Sequence, residues 1–384
     1  MFDATPAAPM TLSNATIVTP EGVVDATVRV EDGCIAGFSA DRGEGLDLAG
    51  HFLIPGVVDL HTDHVEAHVY PRRTVQWAFL PALMAHDAVV IAGGTTTVFD
   101  SLSVGASLKR PERRAILGPL VEALEHGLAH GMFRADHLLH LRCEISDPET
   151  IGLVDQTIGK PISRLVSVMD HTPGDRQSVD IDTWFHHMIH EMEIDEAEGR
   201  NRMQELFDRS ARMGTEVRAH TVAAAHARSL PLMSHDDRTL DHVDQAQAEG
   251  VTLSEFPTTL EAAQQARTLG QAIVAGAPNY LRGGSQSGNV AVRALLEERL
   301  VDVLASDYIP RSPLDAAFAI AADSALPYRL HESIAMVGDA PARLAGLTDR
   351  GRIEEGLRAD LAAVRLVSGQ PVVSAVWREG IRVF

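Results

Sequence analysis

Five short apolar runs in this chain end in residues able to hold a metal ion or move a proton. Gly56 to Leu60 leads into His61-Thr62-Asp63, and Leu138 to Leu141 into Arg142-Cys143-Glu144. Leu165 to Met169 leads into Asp170-His171, Pro231 to Met233 into Ser234-His235-Asp236-Asp237, and Asp302 to Ala305 into Ser306-Asp307. Side chains alternate along an extended segment, so His61 and Asp63 face the same side and can grip one ion. Imidazoles and carboxylates arriving from separate segments make the mixed nitrogen and oxygen shell that suits zinc, manganese or iron. One His or Asp at such a position is more often structural. Five in sequence form a pattern, and they make His61, Asp63, Glu144, His171, His235 and Asp307 the candidate ligands.

These residues converge only if their segments lie side by side and end at one face. Eight apolar runs alternate with helix-length amphipathic stretches: Gly56 to Leu60, Thr96 to Phe99, Leu138 to Cys143, Leu165 to Met169, Pro231 to Met233, Thr252 to Glu255, Ala272 to Ala275 and Asp302 to Ala305. That alternation predicts parallel strands buried on both faces, and eight is the number a closed TIM-type barrel needs. Active sites of such barrels lie at the C-terminal strand ends. Outside this region the pattern changes. Ala15 to Val18, Ala26 to Val30 and Ile35 to Phe38 are β-like runs broken by Pro20-Glu21-Gly22 and Asp32-Gly33. The other end repeats the style around Ser368-Gly369 and Glu379-Gly380. These are hairpin signals, so both termini are expected to meet in one small β-sheet domain, 1–54 with 346–384, beside a barrel of 55–345. Asp195 to Arg228 reads as one or two long helices, and His186, His187, His190, His126 and His130 read as helix surfaces.

Composition narrows the function. With 33 Lys and Arg against 53 Asp and Glu, the formal charge is −20, which argues against binding nucleic acid through clustered cations. Hydrophobic residues make up 45% of the 384, enough to bury a sizeable core. No basic segment followed by an apolar stretch stands near Met1, and no run of about 18 uncharged apolar residues occurs, so a soluble, cytoplasmic protein away from membranes is expected. Cys34 and Cys143 form no metal-binding or disulfide pattern and read as buried thiols.

An anionic substrate would need local cations. Arg282-Gly283-Gly284-Ser285-Gln286-Ser287-Gly288-Asn289 supplies one beside flexible backbone. Ser287 or Asn289 can cap a helix continuing through Val290, Val292, Leu295 and Leu296, whose N-terminal N–H groups would then face the loop. The stretch is thus either a phosphate cradle or a flexible turn. Arg72 and Arg73 are either phosphate contacts or solvated charges.

Pro55-Gly56-Val57-Val58-Asp59-Leu60-His61-Thr62-Asp63, Gly94-Thr95-Thr96-Thr97-Val98 and the closing Ser306-Asp307 resemble the amidohydrolase superfamily. His-x-Asp stands where most members carry His-x-His. With His64-Val65-Glu66-Ala67-His68, Ala85-His86-Asp87-Ala88, Met169-Asp170-His171-Thr172-Pro173-Gly174, Glu255-Phe256-Pro257-Thr258-Thr259 and Gly276-Ala277-Pro278-Asn279, it is similar to the branch of triphosphate diphosphatases of phosphonate degradation. Gln286 departs from that branch, which carries His there.

The resemblance runs from about Ile54 to Asp360. It implies a metal-dependent hydrolase that converts α-D-ribose 1-methylphosphonate 5-triphosphate to the 5-phosphate and pyrophosphate. It implies a divalent ion, zinc with manganese or iron as alternatives, one or two per chain, and Asp307 as the group that takes a proton from the attacking water. Neither Lys109 nor Lys160 closes an apolar run, so Glu144 takes the place of the carboxylated lysine that bridges two metals in many relatives. The expected substrate contacts are His68, Arg72, Arg282, Gly283, Gly284, Ser285, Ser287 and Asn289. A dihydroorotase-like enzyme cleaving a cyclic amide and a noncatalytic metal-binding relative stay open, as does a homo-oligomer.

Overall fold

The computed structural model describes residues 8–40, 45–72, 75–106, 113–176, 180–285 and 288–384. Among these, sixteen strands form two sheets. The first gathers β1 (Met10–Thr19), β2 (Gly22–Glu31), β3 (Cys34–Ser39), β4 (Leu46–Asp47) and β5 (Phe52–Pro55) with the C-terminal β14 (Leu361–Val367), β15 (Gln370–Arg378) and β16 (Ile381–Arg382). The second is parallel and runs in chain order through β6 (Val57–Thr62), β7 (Thr95–Val104), β8 (Asp136–Glu144), β9 (Ser163–Met169), β10 (Leu232–His235), β11 (Leu253–Glu255), β12 (Ala272–Gly276) and β13 (Val303–Ala305). All eight apolar runs are therefore barrel strands, and the terminal segments meet in an accessory sheet.

Local chemistry explains the hairpins. At Asp32-Gly33, Ser368-Gly369 and Glu379-Gly380 both residues have positive φ, between 50° and 80°. That backbone matches the twist of the flanking strands, and glycine adopts it without a Cβ penalty. The accessory sheet buries Leu12, Ile17, Val28, Ile35, Leu53, Leu361 and Trp377 in one cluster.

The barrel is floored by side chains drawn from nearly every strand. Leu60, Phe99, Leu165, Met233, Leu253, Val274 and Val303 pack together with Ala342 and Leu347 from the segment after β13. Closure occurs at one end. Near their starts, β6 and β13 bond to an intervening segment, Val58 N–H to the Val337 carbonyl at 2.9 Å and Leu304 N–H to that of Met336 at 3.0 Å. At their C-terminal ends the strands meet directly, with Asp307 N–H donating to the His61 carbonyl at 2.9 Å and Asp63 N–H to that of Asp307 at 3.0 Å. His61, Asp63 and Asp307 are all candidate ligands, so the seam that closes the barrel also fixes their backbone.

Asp195 to Arg228 folds as one helix, Glu196–His226, with Asp195 accepting from Glu198 N–H as its cap. His186, His187 and His190 stand exposed on the helix Ile181–Met192; His126 is exposed on the helix Arg113–Ala129 and His130 in the turn just after it. Both cysteines are free; Cys143 is buried, whereas Cys34 is half-buried rather than buried. Among the described residues no helix is long and apolar enough to cross a membrane.

Candidate metal centre

Three histidines at the barrel mouth share one arrangement. His61 Nδ1 lies 2.6 Å from Glu255 Oε1, His171 Nδ1 lies 2.6 Å from Glu144 Oε2, and His235 Nδ1 lies 2.9 Å from Asp236 Oδ2. If each Nδ1–H donates to its carboxylate, the tautomer is fixed and Nε2 keeps its lone pair for a ligand. The strands set this up. His61 and His235 lie at or near the ends of β6 and β10, Glu144 and Glu255 close β8 and β11, and His171 follows β9.

The donor set fits a divalent cation. His61 Nε2, His235 Nε2 and Glu255 Oε2 are buried without a hydrogen-bond partner. His61, His235 and Glu255 offer ligand atoms within 4.8 Å of one another, and so do His171, His235 and Asp236. Buried lone pairs turned toward each other are costly unless a positive charge sits among them.

Electrostatics sharpen the picture. Burial, with the nearby Arg142 guanidinium next, holds the His61 ring well below its ordinary value. Burial pushes the Asp307 carboxyl up to about 7, and the like charge of Asp63 adds to the rise. A cation placed beside it would pull it back down. For Glu144 burial acts upward, but the charge and hydrogen bond of His171 outweigh it and the carboxyl stays below its usual range. Asp236, Phe256 and Asp307, which follow β10, β11 and β13, have φ of 58°, 56° and 54°. Left-handed backbone is unfavourable for residues other than glycine, and here it collects at one face.

The structure brings His61, His171, His235 and Asp307 together at the mouth and scatters the residues expected to touch substrate. Arg282, Ser285 and Asn289 line one cavity with Asp236, Phe256, Asp307 and Tyr308, so the Gly-rich stretch does reach the centre. The helix expected to begin at Ser287 or Asn289 starts instead at Val292. Its first N–H is already taken, since Asn279 Oδ1 accepts from Val292 at 2.9 Å, so Asn289 is not its cap. Gly283 (φ 80°) ends the preceding helix Ala277–Arg282, and Gly284 N–H bonds back to the Asn279 carbonyl. Arg282 therefore sits at a helix C-terminus and bonds Tyr308 at 3.3 Å. Ser287 and Gln286 lie outside the described residues, as do Arg73 and Lys109. Arg72 is exposed, with its backbone paired to Val75, and His68 joins a separate group with His64 and His86.

Glu144 has both of its carboxylate oxygens engaged. One oxygen accepts from His171 and the other from Ser146 Oγ at 2.7 Å, which suits a group that holds His171 rather than one bridging two ions. Two residues were missed as site members. Glu255 closes an apolar run, the very signal used for the others. Arg142 is buried, 3.7 Å from Asp63, and its Nε and Nη1 have no hydrogen-bond partner.

A barrel with imidazoles and carboxylates converging at its C-terminal mouth defines a class before any comparison. The chain belongs to the amidohydrolase family, which matches residues 181–384 and whose members are metal-dependent hydrolases. It is 36% identical over 378 residues, 98% of this chain and 100% of the relative, to the α-D-ribose 1-methylphosphonate 5-triphosphate diphosphatase of Escherichia coli (strain K12). A D-hydantoinase of Rhizobium radiobacter is 35% identical over 92 residues, 23% of this chain and 19% of that one. The fold is shared with 5-methylcytosine deaminase from Klebsiella pneumoniae at a TM-score of 0.63 and 15% identity, covering 98% of each chain.

Proposed function

We propose that this hydrolase cuts the phosphoanhydride of α-D-ribose 1-methylphosphonate 5-triphosphate, giving the 5-phosphate and pyrophosphate. The observation that carries the substrate is the full-length similarity to the E. coli diphosphatase. His61, His171 and His235 hold one or two divalent ions with Asp63 and Asp307, zinc first and manganese or iron as alternatives. Glu144 and Asp236 act as positioning residues for His171 and His235, and Glu255 holds His61 while its second oxygen stays open to the ion. When bound, a divalent ion lowers the pKa of water toward about 7 and offsets phosphoryl charge. Asp307 takes the proton from the attacking water, an assignment its place beside Asp63 and His235 supports. Arg142 offers a buried cation to the triphosphate, and Arg282 offers a second at the rim of the cavity.

The local similarity to a D-hydantoinase favours a second reading, hydrolysis of a cyclic amide. A neutral amide such as hydantoin offers the buried Arg142 a carbonyl acceptor but no negative charge, which weighs against it. The test is to strip the full chain with a chelator, reload it with Zn2+ or Mn2+, and follow products by phosphorus NMR. Equimolar pyrophosphate and 5-phosphate, lost on chelation and restored by metal, are expected. Turnover of hydantoin or dihydroorotate without cleavage of the triphosphate would overturn the proposal, and full activity in verified metal-free protein would overturn the metal assignment.

A further inference from the structure

Beside the mouth, a second group of imidazoles converges between two helices and a barrel strand. His64 precedes the helix Val65–Val69, His68 lies in its last turn, and His86 comes from the helix Phe79–Ala92. The rings of His64 and His68 are 4.8 Å apart, and each is 5.9 Å from that of His86. His64 Nδ1, His68 Nε2 and His86 Nδ1 are all buried without a hydrogen-bond partner, and His86 itself is wholly buried. Glu66, on the same helix, is engaged with Arg113 at 2.7 Å and is not turned to the group.

The surroundings of His86 match those of a metal-holding imidazole. Its Nε2 lies 3.0 Å from Asp100 Oδ1, and the other oxygen of Asp100 lies 2.8 Å from His137 Nδ1. A carboxylate on one ring nitrogen fixes the proton there and leaves the opposite lone pair for an ion. His64 and His68 are four residues apart, the spacing that puts two imidazoles on one helical face. The three residues offer ligand atoms within 4.8 Å of one another, against the roughly 3.4 Å that tetrahedral zinc–nitrogen bonds impose, a gap that small side-chain rotations close.

We propose that His64, His68 and His86 form a transition-metal site of their own, distinct from the His61, His171 and His235 centre, taking Zn2+ or Co2+ through three imidazoles. With no carboxylate among the donors, the site disfavours Mg2+ and Ca2+, which prefer oxygen. It places His68 on an ion rather than on the substrate, and it does not depend on which bond the enzyme cuts.

The experiment uses the full chain, stripped of metal and reloaded with Zn2+, with bound ions counted by atomic emission. His64→Asn and His68→Asn, both at half-buried positions, should each hold one ion fewer than the unaltered chain. Anomalous scattering at the zinc edge from crystals of the unaltered chain should show a peak among the three rings, and that peak should persist in His235→Ala. An unchanged ion count in both variants with their circular dichroism intact, or no anomalous peak among the rings, would overturn the site.

Discussion

The two ends of β8 put the same residue types to opposite uses. At its start, Asp136 is surrounded by three guanidinium groups, with Arg350 at 2.6 Å, Arg358 at 2.9 Å and Arg378 at 3.3 Å. At its end, Arg142 reaches only to 3.7 Å from Asp63, and nearby nitrogens and oxygens of His61, His235 and Glu255 stay unpartnered. Saturated charge locks a structure, while charge left without partners waits for a ligand. The contrast follows the general layout of these barrels, with stability at the N-terminal face and chemistry at the C-terminal one.

The sharpest way to break the comparison is at Asp307. Asp307→Asn keeps the shape but removes the proton acceptor, so turnover should fall about a hundred- to ten-thousandfold, the usual contribution of a general base. Thermal stability should hold or rise, because a buried carboxylate beside Asp63 is relieved. If turnover stays within about threefold while bound metal matches the unaltered enzyme, Asp307 is not the base.

A smaller effect separates the two cations. Buried Arg142 should contribute more than exposed Arg282, since water screens a surface charge. Arg142→Ala is expected to lower kcat/KM for the triphosphate roughly ten- to a hundredfold, and Arg282→Ala less than about tenfold. Steady-state kinetics on both variants decide it, and a larger loss at Arg282 would reverse the assignment and restore the Gly-rich stretch as the main phosphate contact.

How far this division could be read in advance depended on the range of the forces involved. Barrel strands were legible because a strand buried on both faces is largely apolar along its length, as Ala272 to Ala275 is. His61, His171, His235 and Asp307 were legible because they interrupt that apolarity at one end. Glu255 carries the same mark, but its local sequence does not set it apart from the Phe256-Pro257-Thr258-Thr259 that follows. Arg142 looked like any charged residue, since its burial comes from neighbouring strands rather than its own segment. The cap of the helix at Val292 was misplaced because Asn279, thirteen residues earlier, supplies it. Asp136 gave no hint at all, its partners lying more than 200 residues away in the C-terminal segment.

Asp136 also yields the smallest expected effect on activity and the clearest one on stability. Burial alone would raise its carboxyl, but Arg358, Arg378 and Arg350 together bring it below its ordinary value. A carboxyl depressed on folding contributes stability that is fully present above its unfolded value of about 3.9 and is lost as pH falls through the lower folded value. Asp136→Asn should therefore destabilise the protein at pH 7 by roughly 2 kcal/mol, less than the 3–5 typical of a fully buried pair because the side chain is 27% exposed. The gap between variant and unaltered chain should narrow below about pH 4, where the unfolded chain's carboxyl takes up a proton while the native one is still ionised, and it should close as pH falls through the lower folded value. Activity at pH 7, at a temperature where both are folded, should stay within about twofold. Denaturant melts across pH 3 to 8 beside kinetics at pH 7 make the measurement. A gap that is independent of pH would mean that Asp136 stabilises through shape rather than charge, and a large loss of turnover would mean that the two ends of β8 are not separate in function.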